Sequence, residues 1–289
     1  MPDLIVVGDV MVDVGVTAGE LAREGDVHGE VRIRPGGTAT NAAAWAASAG
    51  ASVRVHGRVG DDVAGRIISE ALRERGIEPA LTVDPDVRTG SMLVVHQAAE
   101  RSMVADRGAN ARLSPDDLPA RLEAGAVLVS GYLLFHPGSE PAARAALDRA
   151  GAEHVAVDAA SWPLVRGYGR EALLAATASA TILLANAAEA EVLTGDPPEA
   201  AAAKLAVAYG RVVVKDGAAG AVIGTPDGAE RVPATPVREI NPTGAGDAFD
   251  GVLLTALARG ASFRDAVREG CAAGARAAAS AESWPEGDP

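Results

Sequence analysis

Several things that whole protein classes require are scarce in this chain. Among its 289 residues there is one cysteine, Cys271, which excludes an intrachain disulfide and a multi-cysteine zinc site and makes the reducing cytoplasm the expected location. Lysine is nearly as rare. Lys204 and Lys215 are the only two, and neither sits in a G-x-x-x-x-G-K-[ST] run, so a P-loop is excluded. Positive charge is short overall: 26 Lys+Arg against 39 Asp+Glu leave −13, a balance that repels nucleic-acid backbones and anionic lipid surfaces. Neither is an expected partner. The five histidines form no H-E-x-x-H, and there is no G-x-S-x-G elbow and no H-R-D loop. The longest uncharged stretches, such as 172–188, are broken by Thr177, Ser179, Thr181 and Asn186, so no membrane span is expected. Residues 1–8 lack the basic segment of a secretion signal and read as a buried strand.

What is present is a globular composition, 48% hydrophobic and 22% charged, of a length that fits a single domain over 1–289. Short aliphatic runs near 4–7, 53–57, 127–130, 154–158, 181–185, 211–215 and 221–224 read as strands buried on both faces. Helical stretches fit 40–49, 64–75, 140–150, 187–193, 199–209, 246–259 and 263–280. This alternation predicts an α/β fold, a doubly wound and mainly parallel sheet flanked by helices. Two insertions, at about 12–35 and 88–107, instead alternate apolar with polar residues, the mark of half-exposed strands. They are expected to pair into a small β-sheet, either an edge extension or a lid that closes over a site and excludes water. The acidic end, 283–289, is expected to fray.

The chemistry concentrates in Asn241-Pro242-Thr243-Gly244-Ala245-Gly246-Asp247, which runs straight into an apolar helix. Glycines let the backbone approach a ligand, and the first-turn N–H groups with the positive end of the helix dipole attract phosphate or a developing anion. Asp247 stands at the rim of that site. There it either caps the helix or takes the proton of a hydroxyl attacking phosphorus. Asp13, past the end of the first strand, is either a turn residue or an acceptor for two hydroxyls. Gly36, Gly37 and Asn41 make either a plain helix start or a close approach with an amide aimed at a substrate. Glu189 follows Asn186 by three residues, so the two can face one point.

These pieces occur in the order that the ribokinase/PfkB carbohydrate kinase family shows. The 241–247 loop resembles its D-T-x-G-A-G-D signature. Gly8-Asp9 with Asp13 resembles its sugar-binding segment, 36–41 its G-G-x-x-x-N, Asn186-Ala187-Ala188-Glu189 its N-x-x-E, and 215–220 its nucleotide loop. Segments 57–62 and Arg107-Gly108-Ala109-Asn110 are weaker matches, and the resemblance spans about residues 4–281. It implies a ribokinase-like fold that phosphorylates a hydroxymethyl group of a sugar or sugar-like substrate, with ATP as donor and Mg²⁺. Asp247 is then the base, and Gly244, Ala245 and Gly246 the anion hole. Asp13, Gly36, Gly37, Asn41, Asn110 and Tyr132 lie at the acceptor, and Asn186, Lys215, Gly217, Gly220 and Thr243 at the nucleotide. Glu189 meets Mg²⁺ through water. Lys215 has a second reading as a strand-end surface residue.

The departures shape the expectation of substrate. Asn241 stands where the signature has Asp, so any monovalent-cation site there is weakened and K⁺ activation is in doubt. Met11, Thr38 and Tyr132 replace the Asn, Lys and Glu typical near ribose, so strict ribose specificity is not expected. Tyr132 and Met11 either pack in the core or favour a base, which keeps a nucleoside kinase (adenosine, inosine or pseudouridine type) as the alternative. A non-catalytic sugar- or nucleotide-binding regulator is the remaining one. The resemblance also raises pairing of two lids into a homodimer.

Overall fold

Runs such as Leu4-Ile5-Val6-Val7 have no polar side to show to water, and the computed structural model buries them between two helical layers. It describes residues 1–19, 25–97 and 100–285. The chain enters through β1 (Leu4–Val7), leaves the main body for β2 (Met11–Ala18) and β3 (Gly29–Gly36), and returns in α1 (Thr38–Ser48). β4 (Val53–Gly60), α2 (Val63–Glu74) and β5 (Glu78–Asp84) precede a second excursion through β6 (Gly90–Gln97) and β7 (Glu100–Asp106). Next come β8 (Leu122–Glu123), β9 (Ala126–Ser130), α3 (Glu140–Arg149), β10 (Ala150–Gly151), β11 (His154–Asp158), α4 (Trp162–Tyr168) and α5 (Arg170–Ala176). The chain closes with β12 (Ile182–Asn186), α6 (Ala187–Thr194), α7 (Pro198–Tyr209), β13 (Arg211–Lys215), β14 (Ala221–Thr225), β15 (Gly228–Val232), α8 (Ala245–Ala258) and α9 (Phe263–Ala278).

Nine strands form one sheet in the order β15-β14-β13-β12-β11-β9-β1-β4-β5. It is parallel from β13 to β5, and β14 and β15 add an antiparallel edge because the loop after β13 is too short for a crossover. Strand alternation fills both layers. Leu4 and Val6 pack with α1, α2, α8 and α9, while Ile5 and Val7 pack with α3 to α7. Each such buried side chain contributes about 1.5–3 kcal/mol relative to exposure. The expected doubly wound sheet is therefore present, with two strands and two helices added to the expected elements. β5 and β15 carry Pro79 and the pair Glu230-Arg231, which an edge strand tolerates and a buried-strand reading passes over. α4 and α5 are split by Gly169 at φ +91°.

The two insertions do pair, as a four-stranded sheet in the order β3-β2-β6-β7, with β2 parallel to β6 and Met11 opposite Gly90. Residues 20–24 and 98–99 of those insertions lie outside the described residues. The 57–62 segment fastens this sheet to the body. Asp62 caps α2 by accepting from Gly65 N at 2.8 Å and also accepts from Thr89 N and Oγ1, both at 2.7 Å. Val31, Ile33, Met103 and Val104 are exposed on the small sheet. The acidic end does not fray where expected: residues 281–285 are fastened to the body, and 286–289 lie outside the described residues. Among the described residues no helix is long and apolar enough to cross a membrane.

Candidate active site

The carboxyl ends of β1, β9, β11, β12 and β13 converge below the start of α8, where ligands of open α/β sheets bind. Gly244 takes φ +79° as the N-cap of α8, and Asp247 lies in its first turn. One turn on, a side chain at Gly251 would place its Cβ 2.2 Å from the Ala42 carbonyl oxygen, so α8 and α1 cross backbone against backbone. That crossing sets Asn41 opposite Asp247 across 206 positions of sequence, and Asn41 Nδ2 donates to Asp247 Oδ2 at 2.8 Å. Asp247 is half-buried. Burial pushes its carboxyl up to about 7; Asp158 and Asp13 add to the rise, against the Asn41 hydrogen bond and the Lys215 charge.

On the acceptor side, the Asp13 carboxylate lies against Gly36, where a Cβ would come within 2.2 Å of it. Gly37, at φ +93°, would press a Cβ to 2.4 Å from the Asp9 carbonyl oxygen. Both glycines are thus required by the protein's own packing at this point. Asp9, read from the sequence only as part of the sugar-binding segment and given no role of its own, is buried and accepts from Arg107 Nη2 at 2.7 Å, while Arg107 Nη1 donates to the Tyr132 carbonyl at 2.8 Å. Its invisible partner was 98 positions away. Burial pushes the Tyr132 hydroxyl up to about 12, followed by the charges of Asp158, Asp247 and Glu189, which puts this ring among the site's carboxylates. Asn110, expected at the acceptor, is turned elsewhere. Its Oδ1 accepts from Val10 N at 2.9 Å, and its Nδ2 donates to the carbonyls of Val10 at 2.9 Å and Arg107 at 3.1 Å, tying the roots of two insertions together.

On the donor side, Asn186 and Glu189 form a reciprocal cap of α6. Glu189 N donates to Asn186 Oδ1 at 2.9 Å, and Asn186 N donates back to Glu189 Oε2 at 2.8 Å. Asn186 Nδ2 donates to Glu189 Oε1 at 2.6 Å. Burial, then Asp158, pushes Glu189 up to about 7. Lys215, expected to meet nucleotide, instead turns under the first turn of α8. Its Nζ donates to Asp158 Oδ2 at 2.7 Å and to both oxygens of Asp250 at 3.0 Å, and lies 3.6 Å from where a Cβ of Gly246 would be. A lone ammonium would not be buried there; burial pulls its pKa down, but Asp158, Asp250 and Glu189 outweigh that and hold it well above the usual lysine range. Burial also raises Asp250, while Asp158, opposite the same lysine, ends below the usual carboxylate range. Asp158 and Asp250 are site residues that sequence reasoning missed; the three-residue spacing from Asp247 was the available sign for Asp250. Two residues past Asp158, Ala160 holds φ +69°, a strained backbone beside the charge cluster.

The remaining loop residues divide. Gly217 takes φ +53° with open space around it, whereas a Cβ on Gly220 would lie 2.1 Å from the Val232 carbonyl, so that glycine serves the β14–β15 packing. Asn241 Oδ1 accepts from Thr243 N at 3.1 Å and Thr243 Oγ1 at 2.7 Å, a local turn that engages both residues. Ala245 N donates to the Pro242 carbonyl at 3.2 Å. Helix geometry leaves the N–H groups of Gly246 and Asp247 without intrahelical partners.

The chain that carries this glycine-rich helix start and half-buried aspartate has counterparts, as a whole, among known proteins. The profile described as pfkB family carbohydrate kinase matches residues 1–283. The chain belongs to this family. The bifunctional protein HldE of Azorhizobium caulinodans is 33% identical over 303 residues; the alignment covers 96% of this chain and 60% of that longer protein. A ribokinase of Haemophilus influenzae is 28% identical over 286 residues, covering 94% of this chain and 90% of its own length. Among solved structures, the aminoimidazole riboside kinase of Salmonella enterica, complexed with aminoimidazole riboside and an ATP analog, superposes with a TM-score of 0.80. It shares 26% identity, and the superposition covers 96% of this chain and 94% of that one. That superposition takes in nearly the whole of this chain, which combines a large mixed sheet with a small separate one.

Proposed function

We propose that this PfkB kinase transfers the γ-phosphoryl group of ATP to a hydroxymethyl group of a small sugar or sugar-like alcohol, with Asp247 as general base. The observation that carries this reading is the placement of Asp247. It is a half-buried carboxylate at a helix start, tethered through one oxygen to a neutral amide, with its pKa raised toward neutrality. The other oxygen takes the acceptor's proton as the hydroxyl oxygen bonds to phosphorus and the bond to the ADP oxygen breaks. Asp13, the backbone at Gly36 and Gly37, and the remaining Asn41 N–H orient the acceptor. The Gly244-Ala245-Gly246 turn, mainly through the Gly246 and Asp247 N–H groups, holds the charge that develops on the phosphoryl oxygens.

The donor set fits magnesium carried on the nucleotide's phosphates. Among the described residues no group of three acidic, histidine or cysteine side chains gathers to hold a metal directly, and both Glu189 oxygens already serve the α6 cap. Asn186 and Glu189 would meet the ion through its waters, and the ion would neutralise phosphate charge. The Asn241 oxygen is held by Thr243, which supports weak dependence on K⁺.

Tyr132 favours a second reading, a nucleoside acceptor, because an aromatic ring beside the carboxylates can stack on a base. The exposed Val31, Ile33, Leu93 and Val104 share one face of the small sheet and support pairing of two such sheets, which sedimentation velocity decides.

The test is Mg·ATP-dependent ADP release across pentoses, hexoses, keto-deoxy acids, polyols and nucleosides, in Na⁺ and in K⁺, with Asp247→Asn beside the wild type. One acceptor is expected to stand out, with little change on exchanging the cation and a loss of about 10²–10⁴-fold in kcat for Asp247→Asn. Turnover by Asp247→Asn at the wild-type rate would remove the base. No turnover with any acceptor, alongside a ligand-raised melting temperature, would support a binding protein.

A further inference from the structure

Asn41 faces Asp247 with an amide whose two ends look alike in shape and differ in chemistry. With Nδ2 toward the carboxylate it stabilises the ionised form; flipped, Oδ1 would repel it. Something must fix that choice. The Asn41 oxygen accepts a hydrogen bond from Trp284 Nε1 at 3.0 Å, and an indole N–H can only donate. A donor on Oδ1 compels Nδ2 to point the other way, at Asp247 Oδ2.

Trp284 is itself built in. It lies partly buried against the core, and the Arg75 guanidinium sits over its ring at 5.0 Å, with Arg75 Nη1 donating to the Pro285 carbonyl at 3.3 Å. The neighbouring residues are fastened to three separate elements. Trp45 Nε1 of α1 donates to the Ser283 carbonyl at 2.9 Å, Arg34 of β3 pairs with Glu282, and Asn241 Nδ2 of the signature loop donates to the Ala281 carbonyl at 3.4 Å. Ser283 also abuts Gly244, where a Cβ would stand 3.2 Å from it. The 281–285 segment therefore spans the first turn of α8, α1 and the small sheet.

We propose that Trp284 is a positioning residue for phosphoryl transfer, holding the Asn41 amide in the orientation that keeps Asp247 ionised and aimed. The inference rests on Asp247 being the base. The charged and titratable groups around Asp247 are Asp13 from β2, Asp158 at the end of β11, Lys215 from β13, Tyr132 after β9 and Asp250 on α8 itself. None of these changes when the indole is replaced, so a shift in the acid limb reports the amide.

The variant is Trp284→Phe, which keeps a ring beside Arg75 and removes the N–H; a chain ending at Ala281 serves as the second. Both are assayed for acceptor kcat/KM against pH and for melting temperature, with Asp247→Asn alongside. Loss of a donor to a carboxylate raises its pKa, so the acid limb is expected to move up by about one pH unit in both variants. Activity then falls near neutrality and recovers toward the wild-type value at high pH. An unmoved limb in both variants, with Asp247→Asn inactive, overturns the proposal and leaves the base standing. A loss that is equal at all pH values and tracks a lowered melting temperature also overturns it, as a structural effect. An active Asp247→Asn removes the base, and the proposal with it.

Discussion

Asp247 and Asp250 stand three residues apart on α8, and burial raises both, yet their surroundings differ. Asp250 is 2% exposed and meets the Lys215 ammonium with both oxygens, next to Asp158 on the same lysine. Asp247 is half-buried and meets one neutral amide with one oxygen. A carboxylate enclosed by a full charge network stabilises the junction of α8 with β11 and β13 and has little left for a ligand. One partnered only on a single side keeps an oxygen for a hydroxyl, and its raised pKa makes it a better proton acceptor at neutral pH. On the proposed reading, one helix supplies a structural and a chemical carboxylate from adjacent turns.

Removing each in turn is the sharpest way to break this contrast. Asp247→Asn is expected to lose about 10²–10⁴-fold in kcat, with no fall in melting temperature, since an amide there needs no buried charge. Asp250→Asn should do the reverse, lowering the melting temperature while most of the turnover survives. Lys215→Met tests the network from its other side. It leaves Asp158 and Asp250 facing each other without a cation, and urea unfolding at pH 8 should show a loss of about 3–5 kcal/mol. With the lysine gone both carboxyls should sit above their unfolded values, so the deficit should shrink as pH falls and they take up protons. The smallest effect concerns the acceptor side. Gly36→Ala would push the Asp13 carboxylate away, so acceptor KM should rise by up to about 10²-fold while the KM for ATP stays put.

The comparison also separates what was readable in the sequence from what was not. The helix start at 244–247 carried its own signals, glycines followed by an acid and an apolar run, and the buried strands announced themselves through unbroken aliphatic stretches. Periodicity likewise exposed the two insertions that make the small sheet. Partner choice was not legible. Lys215 sits at the end of its strand whether it faces nucleotide or two aspartates, and only the fold brings it to Asp158 and Asp250. Asn110 has the composition of a ligand-binding amide, and its engagement with Val10 spans 100 positions. The acidic tail read as frayed because its fasteners, Trp45, Arg75 and Arg34, belong to elements more than 200 residues earlier.

The most direct check on the division of labour along α8 is the pH dependence of acceptor kcat/KM. With Asp247 as the base at about 7, the rate should fall about tenfold per pH unit below that value and level off above it. A rate that stays flat from pH 7 down to pH 5 would contradict the assignment, because the proposed base would by then be protonated.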